Sequence, residues 1–223
     1  MCIRDRMAST ASLARSRALL RASFGADASR RRRVPMTTTR AMRATRAMAS
    51  SEEMRILKDT TTKLRECAKR GAAATAVDLL VGLGREGVTP DAFAATACIS
   101  ACVNGKNMEL AQKVYDEIFE KEVCAPDEVA VAELAKGYLN MDPPGWGRAM
   151  QLVNGAREKH DIALTSVTYN VLLNCCSASN DLLRAEEIVD RMVDEDVVAD
   201  MWTLKAVEKR RAIRAYVKKQ LLV

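Results

Sequence analysis

The chain has 223 residues, of which 48% are hydrophobic and only 4% aromatic. This length suits one domain or one array of small units, and scarce aromatic residues favour closely packed helices over a β-sandwich. His160 is the single histidine, which excludes a zinc site with paired histidine ligands and argues against most hydrolytic enzymes. No apolar run approaches the length of a membrane-spanning helix, so we expect no membrane partner.

The net charge of +6 is divided among three segments of different character. Residues 1–50 contain twelve arginines and two acidic residues, whereas residues 51–200 contain 16 basic and 26 acidic residues. Residues 201–223 contain seven basic residues and one acidic residue. Each segment therefore has to be interpreted separately.

The N-terminal segment has the composition of a targeting sequence. Residues 1–6 resemble the translation of a sequencing adapter, which predicts that Met7 is the natural start. Residues 7–50 are rich in arginine and serine, and Asp27 is their only acidic residue. This composition is typical of a disordered organellar transit peptide, and we slightly favour the chloroplast over the mitochondrion. The alternative is a nuclear or nucleic-acid-binding patch at residues 30–33.

Residues 51–200 repeat with a period of 35 to 38 residues. Small residues within apolar stripes and short polar residues at the ends of the units recur at this spacing: Ala76, Ala111, Ala149 and Ala185, and Asp91, Asp127, Thr165 and Asp200. In the last unit, two apolar faces with helical spacing flank a turn at residues 179–181. Such units must stack to bury their faces, so we predict an all-α solenoid of helix-turn-helix repeats.

Three motifs connect these units with a known family. They are Val167-Thr-Tyr-Asn170 at the start of a unit, the alanines at positions 111 and 185, and Thr89-Pro-Asp91 at the end of a unit. With these motifs the body resembles the pentatricopeptide repeat family, as a short array of the P type. The resemblance implies a right-handed α-α superhelix with four repeats, which we number one to four: 57–91, 92–127, 128–165 and 166–200.

The resemblance also implies a ligand, single-stranded RNA, of which each repeat binds about one base through its fifth and last residues. The implied base-recognition pairs are Thr61 with Asp91, Thr96 with Asp127, and Asn170 with Asp200. By resemblance, threonine with aspartate favours guanine and asparagine with aspartate favours uracil. The pair in repeat three, Ala132 with Thr165, matches no strong code, so the implied preference is 5′-G-G-N-U-3′. The alternative for the aspartates is purely local, as helix N-caps.

Further contacts with RNA are implied at other positions. The second residue of a repeat wedges between bases, which suits Phe93, Val129 and Val167 but not Lys58. The basic residues predicted to contact phosphate lie in repeat one and near the C-terminus: Lys63, Lys69, Arg70, Lys205, Lys209 and Arg210. Because the body as a whole is acidic, we expect RNA binding to be weak and sensitive to salt.

Two surfaces could instead hold a protein partner. Residues 201–223 form a basic amphipathic stretch, which we interpret as a capping helix or half-repeat. The second helices carry acidic residues that we expect to face outward on the convex side: Asp116, Glu117, Glu120, Glu186, Glu187 and Asp190.

The sequence predicts no catalytic residue, no metal site and no cofactor. The cysteines form no Cys-x-x-Cys pair, and the glycines lack phosphate-loop spacing. We therefore predict an organellar adaptor, not an enzyme, that acts in RNA processing, stabilisation or translation. The alternatives are a protein–protein scaffold of the same fold, and the repeat region of an RNA-processing nuclease that lacks its catalytic domain.

The transit-peptide interpretation predicts that residues 7–56, fused to green fluorescent protein, enter an organelle. Replacing Arg15, Arg17 and Arg21 by glutamate in a control fusion should abolish import, because the basic face of the leader is lost. Fluorescence microscopy of plant cells measures both outcomes. Nuclear accumulation of the unchanged fusion would instead support the basic-patch alternative.

Overall fold

The structure is a computed structural model that describes residues 40–221, with side chains from residue 51 onward. The predicted adapter, residues 1–6, and most of the predicted leader, residues 7–39, lie outside the described residues. The chain divides into two compact units, Met1–Ala125 and Pro126–Val223, which we call the N-terminal and C-terminal units. All regular secondary structure of the described residues is helical. None of these helices combines the length and the apolar character that crossing a membrane requires.

The described part of the N-terminal unit contains four α-helices and a π-helical segment: α1 (Arg40–Arg70), α2 (Ala73–Arg85), α3 (Ala92–Asn104), α4 (Met108–Tyr115) and the segment Asp116–Glu120. Helix α1 packs against α2 and α3, and α3 packs against α4. Helix α1 begins within the predicted leader, so the backbone of residues 40–50 is helical. It ends before Gly71, whose φ of 66° suits a residue without a side chain.

The C-terminal unit contains six described helices: α5 (Glu128–Leu139), α6 (Trp146–His160), α7 (Ser166–Ser179), α8 (Leu182–Asp194), α9 (Met201–Ala206) and α10 (Arg211–Leu221). The first helices α5, α7 and α9 pack side by side, and α8 packs against α10. Within repeats three and four, the first helix also packs against the second. Each repeat of this unit therefore rests on its neighbours, as in a solenoid.

Four polar residues define where the first helices begin. They are the N-caps of α3, α5, α7 and α9, respectively: Asp91, Asp127, Thr165 and Asp200. Each of the three aspartates accepts a 2.8 Å hydrogen bond from a backbone N–H three residues later. Such caps satisfy donors that the first helical turn leaves unpaired. The local role that the sequence allows for these aspartates is therefore present in the structure, and the helix starts coincide with the predicted repeat boundaries.

The basic C-terminal stretch forms two helices where the sequence suggests one capping helix or a half-repeat. Helix α9 packs against α7, and α10 packs against α8, so residues 201–221 continue the packing of the repeats. Val207 in the connection is fully buried, and Arg210 Nε donates a 2.7 Å hydrogen bond to the carbonyl of Ser177 at the end of α7. No glycine or proline lies between α9 and α10, so the sequence does not predict that the helix is interrupted there.

A charged network joins three helices of the C-terminal unit. Glu195, directly after α8, accepts hydrogen bonds from Tyr169 Oη on α7, Arg157 on α6 and Arg191 on α8. Burial raises the pKa of the Glu195 carboxyl, but the hydrogen bonds from Tyr169 and Arg191 outweigh it, and the pKa falls below its ordinary value. The network fixes α7 against the second helices, since each partner comes from a different element.

The repeating alanines lie on the buried face of each second helix. All four are buried, with at most 1% of their surface exposed: Ala76, Ala111, Ala149 and Ala185. A larger side chain at such a position has no space without displacing a neighbouring helix.

We expect Ala76→Leu to lower the free energy of unfolding by about 1–3 kcal/mol, because it overpacks the contact of a second helix. The matched control is Ala74→Leu, at an exposed position of the same helix α2, which should change it by less than about 0.5 kcal/mol. Thermal unfolding followed by circular dichroism measures both. Equal effects of the two substitutions would contradict the assigned helix face.

Candidate nucleic-acid interface

An open groove runs along α7 in the C-terminal unit. One cavity of 530 Å³ lies between α7 and the α9 region, and a second of 390 Å³ lies between α7 and the end of α5. The two cavities share Val171, Asn174 and Ala178, so they adjoin along α7. We call them together the α7 groove. Its other polar and aromatic lining residues include Lys136, Asn140, Asn170, Trp202, Lys205 and Lys209.

The structure brings the predicted pair of repeat four together in this groove. Asn170 Nδ2 donates a 3.1 Å hydrogen bond to Asp200 Oδ1, and Ser166 Oγ donates a 2.9 Å hydrogen bond to Asp200 Oδ2. This bonding orients the Asn170 amide with its carbonyl away from the carboxylate. Among the described residues, none donates to Asn170 Oδ1, although this atom is buried. Asn170 itself is half-buried and lines the groove, but this oxygen is not exposed to it.

Asp200 is held in its charged form. Burial raises the pKa of its carboxyl, but hydrogen bonds from Thr203, Ser166 and Asn170 have the larger combined effect and bring the pKa to about 2. The carboxylate is consequently ionised at neutral pH. It acts as an acceptor toward α9 and toward Asn170 at the same time.

Trp202 belongs to the same groove, and the sequence analysis missed it. The indole is 55% exposed, and Lys205 Nζ lies 4.6 Å from the centroid of its ring. Trp202 is the second residue of α9, and it follows Val167, the second residue of α7, by 35 residues. That spacing identifies it as a position of the wedge type, whereas the interpretation of residues 201–223 as a cap does not. The three predicted wedge residues are also exposed second residues of their helices: Phe93 (64%), Val129 (48%) and Val167 (43%).

The predicted base-recognition residues of repeats one and two have different surroundings. Thr61 is only 8% exposed, and its hydroxyl donates a 2.7 Å hydrogen bond to the carbonyl of Leu57. The reason is that α1 starts at Arg40, so Leu57 is not the capped start of a helix and Thr61 lies in a helix interior. We therefore do not carry Thr61 into the proposed interface. Thr96 is half-buried on α3.

The predicted phosphate contacts also divide into two groups. Lys63, Lys69 and Arg70 are exposed on α1, where Arg70 forms a 3.3 Å ion pair with Glu66. Lys205, Lys209 and Arg210 line the α7 groove.

Arg210 has a structural role that the sequence did not reveal. Its guanidinium donates to the carbonyls of Ser177 and Ala178, where a positive charge complements the end of α7.

The predicted acidic face needs one correction. Most of the acidic residues on second helices are exposed, but Glu117 is buried and pairs with Lys121. It follows the buried Leu110 and Val114 by seven and three residues, which is the spacing of one helix face, so its position places it inward despite its charge. The described residues contain no group of three or more histidine, cysteine or acidic side chains that could hold a metal ion.

The family model described as PPR repeat matches residues 93–123 and 167–197, which lie within repeats two and four. The two matched segments are therefore pentatricopeptide repeats. Pentatricopeptide repeat-containing protein At4g08210 of Arabidopsis thaliana is 23% identical over 144 residues, which cover 65% of this chain and 20% of that relative.

Solved structures of similar fold include the pentatricopeptide repeat protein PPR10 in complex with an 18-nucleotide psaJ RNA element. The same complex with three cysteines of PPR10 replaced by serine matches equally. Both have a TM-score of 0.57 and 19% sequence identity, and the match covers 73% of this chain and 25% of the PPR10 chain. The likeness confirms the predicted all-α solenoid fold. The chain spans a quarter or less of the length of these relatives.

The hydrogen bonds of Asp200 predict an acid-sensitive contribution to stability. Asp200→Ala should lower the free energy of unfolding at pH 7 by about 0.5–2 kcal/mol, because α9 loses its cap. The pKa of about 2 in the folded chain lies below the ordinary value of 3.8, so this contribution is present above about pH 4 and is lost as the pH falls toward 2.

Unfolding by urea at pH 7, 4, 3 and 2 measures this effect, and the curves of Asp200→Ala and the unchanged protein should converge at pH 2. Asp194→Ala, at the exposed end of α8, is the control and should not show this convergence. A constant difference between Asp200→Ala and the unchanged protein from pH 7 to pH 2 would contradict the assignment.

Proposed function

We propose that the protein is an organellar adaptor that binds single-stranded RNA in the α7 groove and acts in processing, stabilisation or translation of a transcript. The observation that carries the proposal is the oriented Asn170–Asp200 pair beside the exposed ring of Trp202 and the ammonium group of Lys205. The PPR10 chains of similar fold were crystallised with RNA, which supports the same class of ligand. The composition of residues 7–50 supports the organellar destination.

The groove can distinguish bases by hydrogen-bond pattern. A shift of the half-buried Asn170 side chain into the groove would let its Oδ1 accept from an imino N–H, while the second hydrogen of Nδ2 donates to a neighbouring carbonyl of the base. Uracil offers an imino N–H flanked by carbonyl oxygens, whereas cytosine offers an acceptor at the same ring position. The pair therefore favours uracil, as the resemblance implies for asparagine with aspartate.

Stacking and charge supply the part of the affinity that does not depend on sequence. The exposed indole of Trp202 is a stacking surface, and stacking is worth about 1–3 kcal/mol per base. Lys205 and Lys209 lie in the same groove, where their ammonium groups can meet phosphates.

A protein–protein scaffold is the second candidate. It is favoured by the acidic residues of the second helices that the structure leaves exposed: Asp116, Glu120, Glu187 and Asp190. Carboxylates on this surface repel phosphate and would suit a basic partner. The nuclease alternative would require a catalytic domain in addition to the residues described here.

We expect Asn170→Thr in the full chain to move the base preference at the fourth position from uracil toward guanine. The change in the ratio of the two affinities should be roughly 2- to 12-fold, the factor that one hydrogen bond contributes. Fluorescence anisotropy at low salt, with RNAs that differ only in the fourth base of 5′-G-G-N-U-3′, measures this ratio. Circular dichroism should show unchanged helicity.

Trp202→Ala tests the other half of the interface, because loss of stacking should weaken binding to all these RNAs alike. Its matched control is Val198→Ala, another exposed apolar residue, 81% accessible, which does not line the described groove. If the unchanged protein binds no RNA at low salt, the RNA proposal is wrong and the scaffold takes its place. If Asn170→Thr lowers stability without changing the preference, Asn170 is structural only.

A further inference from the structure

Glu128, the first residue of repeat three, caps a helix of the following repeat. Its Oε1 accepts hydrogen bonds from Thr165 N (2.7 Å), Thr168 N (3.3 Å) and Thr168 Oγ1 (2.9 Å) at the start of α7. Its Oε2 accepts a fourth, from Thr165 Oγ1, at 2.8 Å. One half-buried carboxylate thus satisfies donors that an N-cap residue normally serves.

Asp200 makes the corresponding contacts at the start of α9. It accepts from Thr203 N (2.8 Å) and Thr203 Oγ1 (3.0 Å), and Thr203 follows Thr168 by 35 residues. The same backbone and hydroxyl donors therefore meet a carboxylate at both helix starts. In repeat four the acid is the last residue, whereas in repeat three it is the first residue, Glu128.

The hydroxyl group that donates to this carboxylate also occupies different positions in the two repeats. Ser166, the first residue of repeat four, donates its hydroxyl to the acid at the last position. Thr165, the last residue of repeat three, donates its hydroxyl to the acid at the first position. The acid and the hydroxyl have thus exchanged their positions between the two repeats, and the cap itself is preserved.

The exchange removes the arrangement that orients a base-reading side chain. In repeat four the acid at the last position holds the amide of Asn170. In repeat three the fifth residue is Ala132, which is 3% exposed and offers no polar side-chain atom. An aspartate at position 165 would set a second carboxylate beside Glu128, and two like charges at one site disfavour each other.

We propose that Glu128 is a specificity-determining residue that keeps repeat three from reading a base. Because Glu128 already caps α7, an acid at the last position cannot be added without removing it. Recognition of a base by repeat three therefore requires exchange of Glu128, Ala132 and Thr165 together. This inference rests on the proposed function for its RNA part, whereas the exchange of acid and hydroxyl can be tested without RNA.

The test without RNA compares thermal unfolding of the full chain with those of Glu128→Ser, Thr165→Asp and the double variant. Each single change should lower the midpoint by roughly 4–8 °C, the shift that the loss of one cap produces in a domain of about 100 residues. The double variant should recover most of the loss, because it recreates the arrangement of Ser166 and Asp200. Thr165→Asp combined with Glu158→Ser, at an exposed position of α6, is the control and should show no recovery. The inferred exchange of acid and hydroxyl would be wrong if Thr165→Asp alone left the unfolding midpoint unchanged. It would also be wrong if the decreases in midpoint of the two single variants added up in the double variant.

The test with RNA uses the triple variant Glu128→Ser, Ala132→Asn and Thr165→Asp, which copies the three polar residues of repeat four. It should gain a preference for uracil at the third base of roughly 2- to 12-fold, whereas Ala132→Asn with Thr165→Asp alone should gain none. The preference for uracil at the fourth base is the internal reference. When the preference at the fourth base is present, two results contradict the inference. Either neither variant prefers uracil at the third base, or both variants do. If the reference is absent, the proposed function fails, and the unfolding experiment still decides the exchange.

Discussion

The capping of α3, α5, α7 and α9 by a carboxylate is the interaction on which the positions of the predicted recognition residues depend. Asp91, Asp127 and Asp200 each bind the backbone N–H three residues later at 2.8 Å, and this bond fixes the residue at which the helix begins. Once the start is fixed, the positions that follow have fixed directions. The second residue is exposed at four successive helix starts, from Phe93 to Trp202. A one-residue shift of the cap would rotate all of them by about 100°.

The caps also join stability to the proposed recognition. Asp200 Oδ1 accepts both from Thr203 N at the start of α9 and from Asn170 Nδ2, so neither task can be changed alone. The buried Asn170 Oδ1 without a donor is unfavourable in the free protein. A base that supplies a donor removes this cost, which is one way in which an interface can favour the bound state. The proposed selectivity for uracil would then come from a polar atom that the fold leaves unpaired.

The features that recur with the repeat could be predicted from the sequence. Contacts that do not recur with the repeat could not. The helix starts and the buried alanines followed from spacing, because the caps and the crossing points recur with the repeat. The burial of Thr61 could not be predicted, because α1 continues from Arg40 and no residue pattern near Leu57 reveals an uncapped start. The prediction that Glu117 faces outward is wrong because it rested on charge, whereas its spacing from Leu110 and Val114 places it on the buried face. The contacts of Arg210 with α7 could not be predicted, because its carbonyl partners lie 32 and 33 residues away in sequence.

Glu128 shows why a pair of positions is too small a unit for predicting what a repeat recognises. The fifth and last residues of repeat three, taken alone, suggest only a weak match. The hydrogen bonds show that the first residue has taken over the task of the last one, with the hydroxyl moved in compensation. The cap has to be satisfied in either arrangement, since the donors at the start of α7 are there whichever residue supplies the acid. In repeat four the acid at the last position also holds the side chain at the fifth position, because Asp200 accepts from Asn170. The first, fifth and last residues therefore have to be considered together, because the choice of acid for the cap decides whether the fifth residue is oriented toward a base.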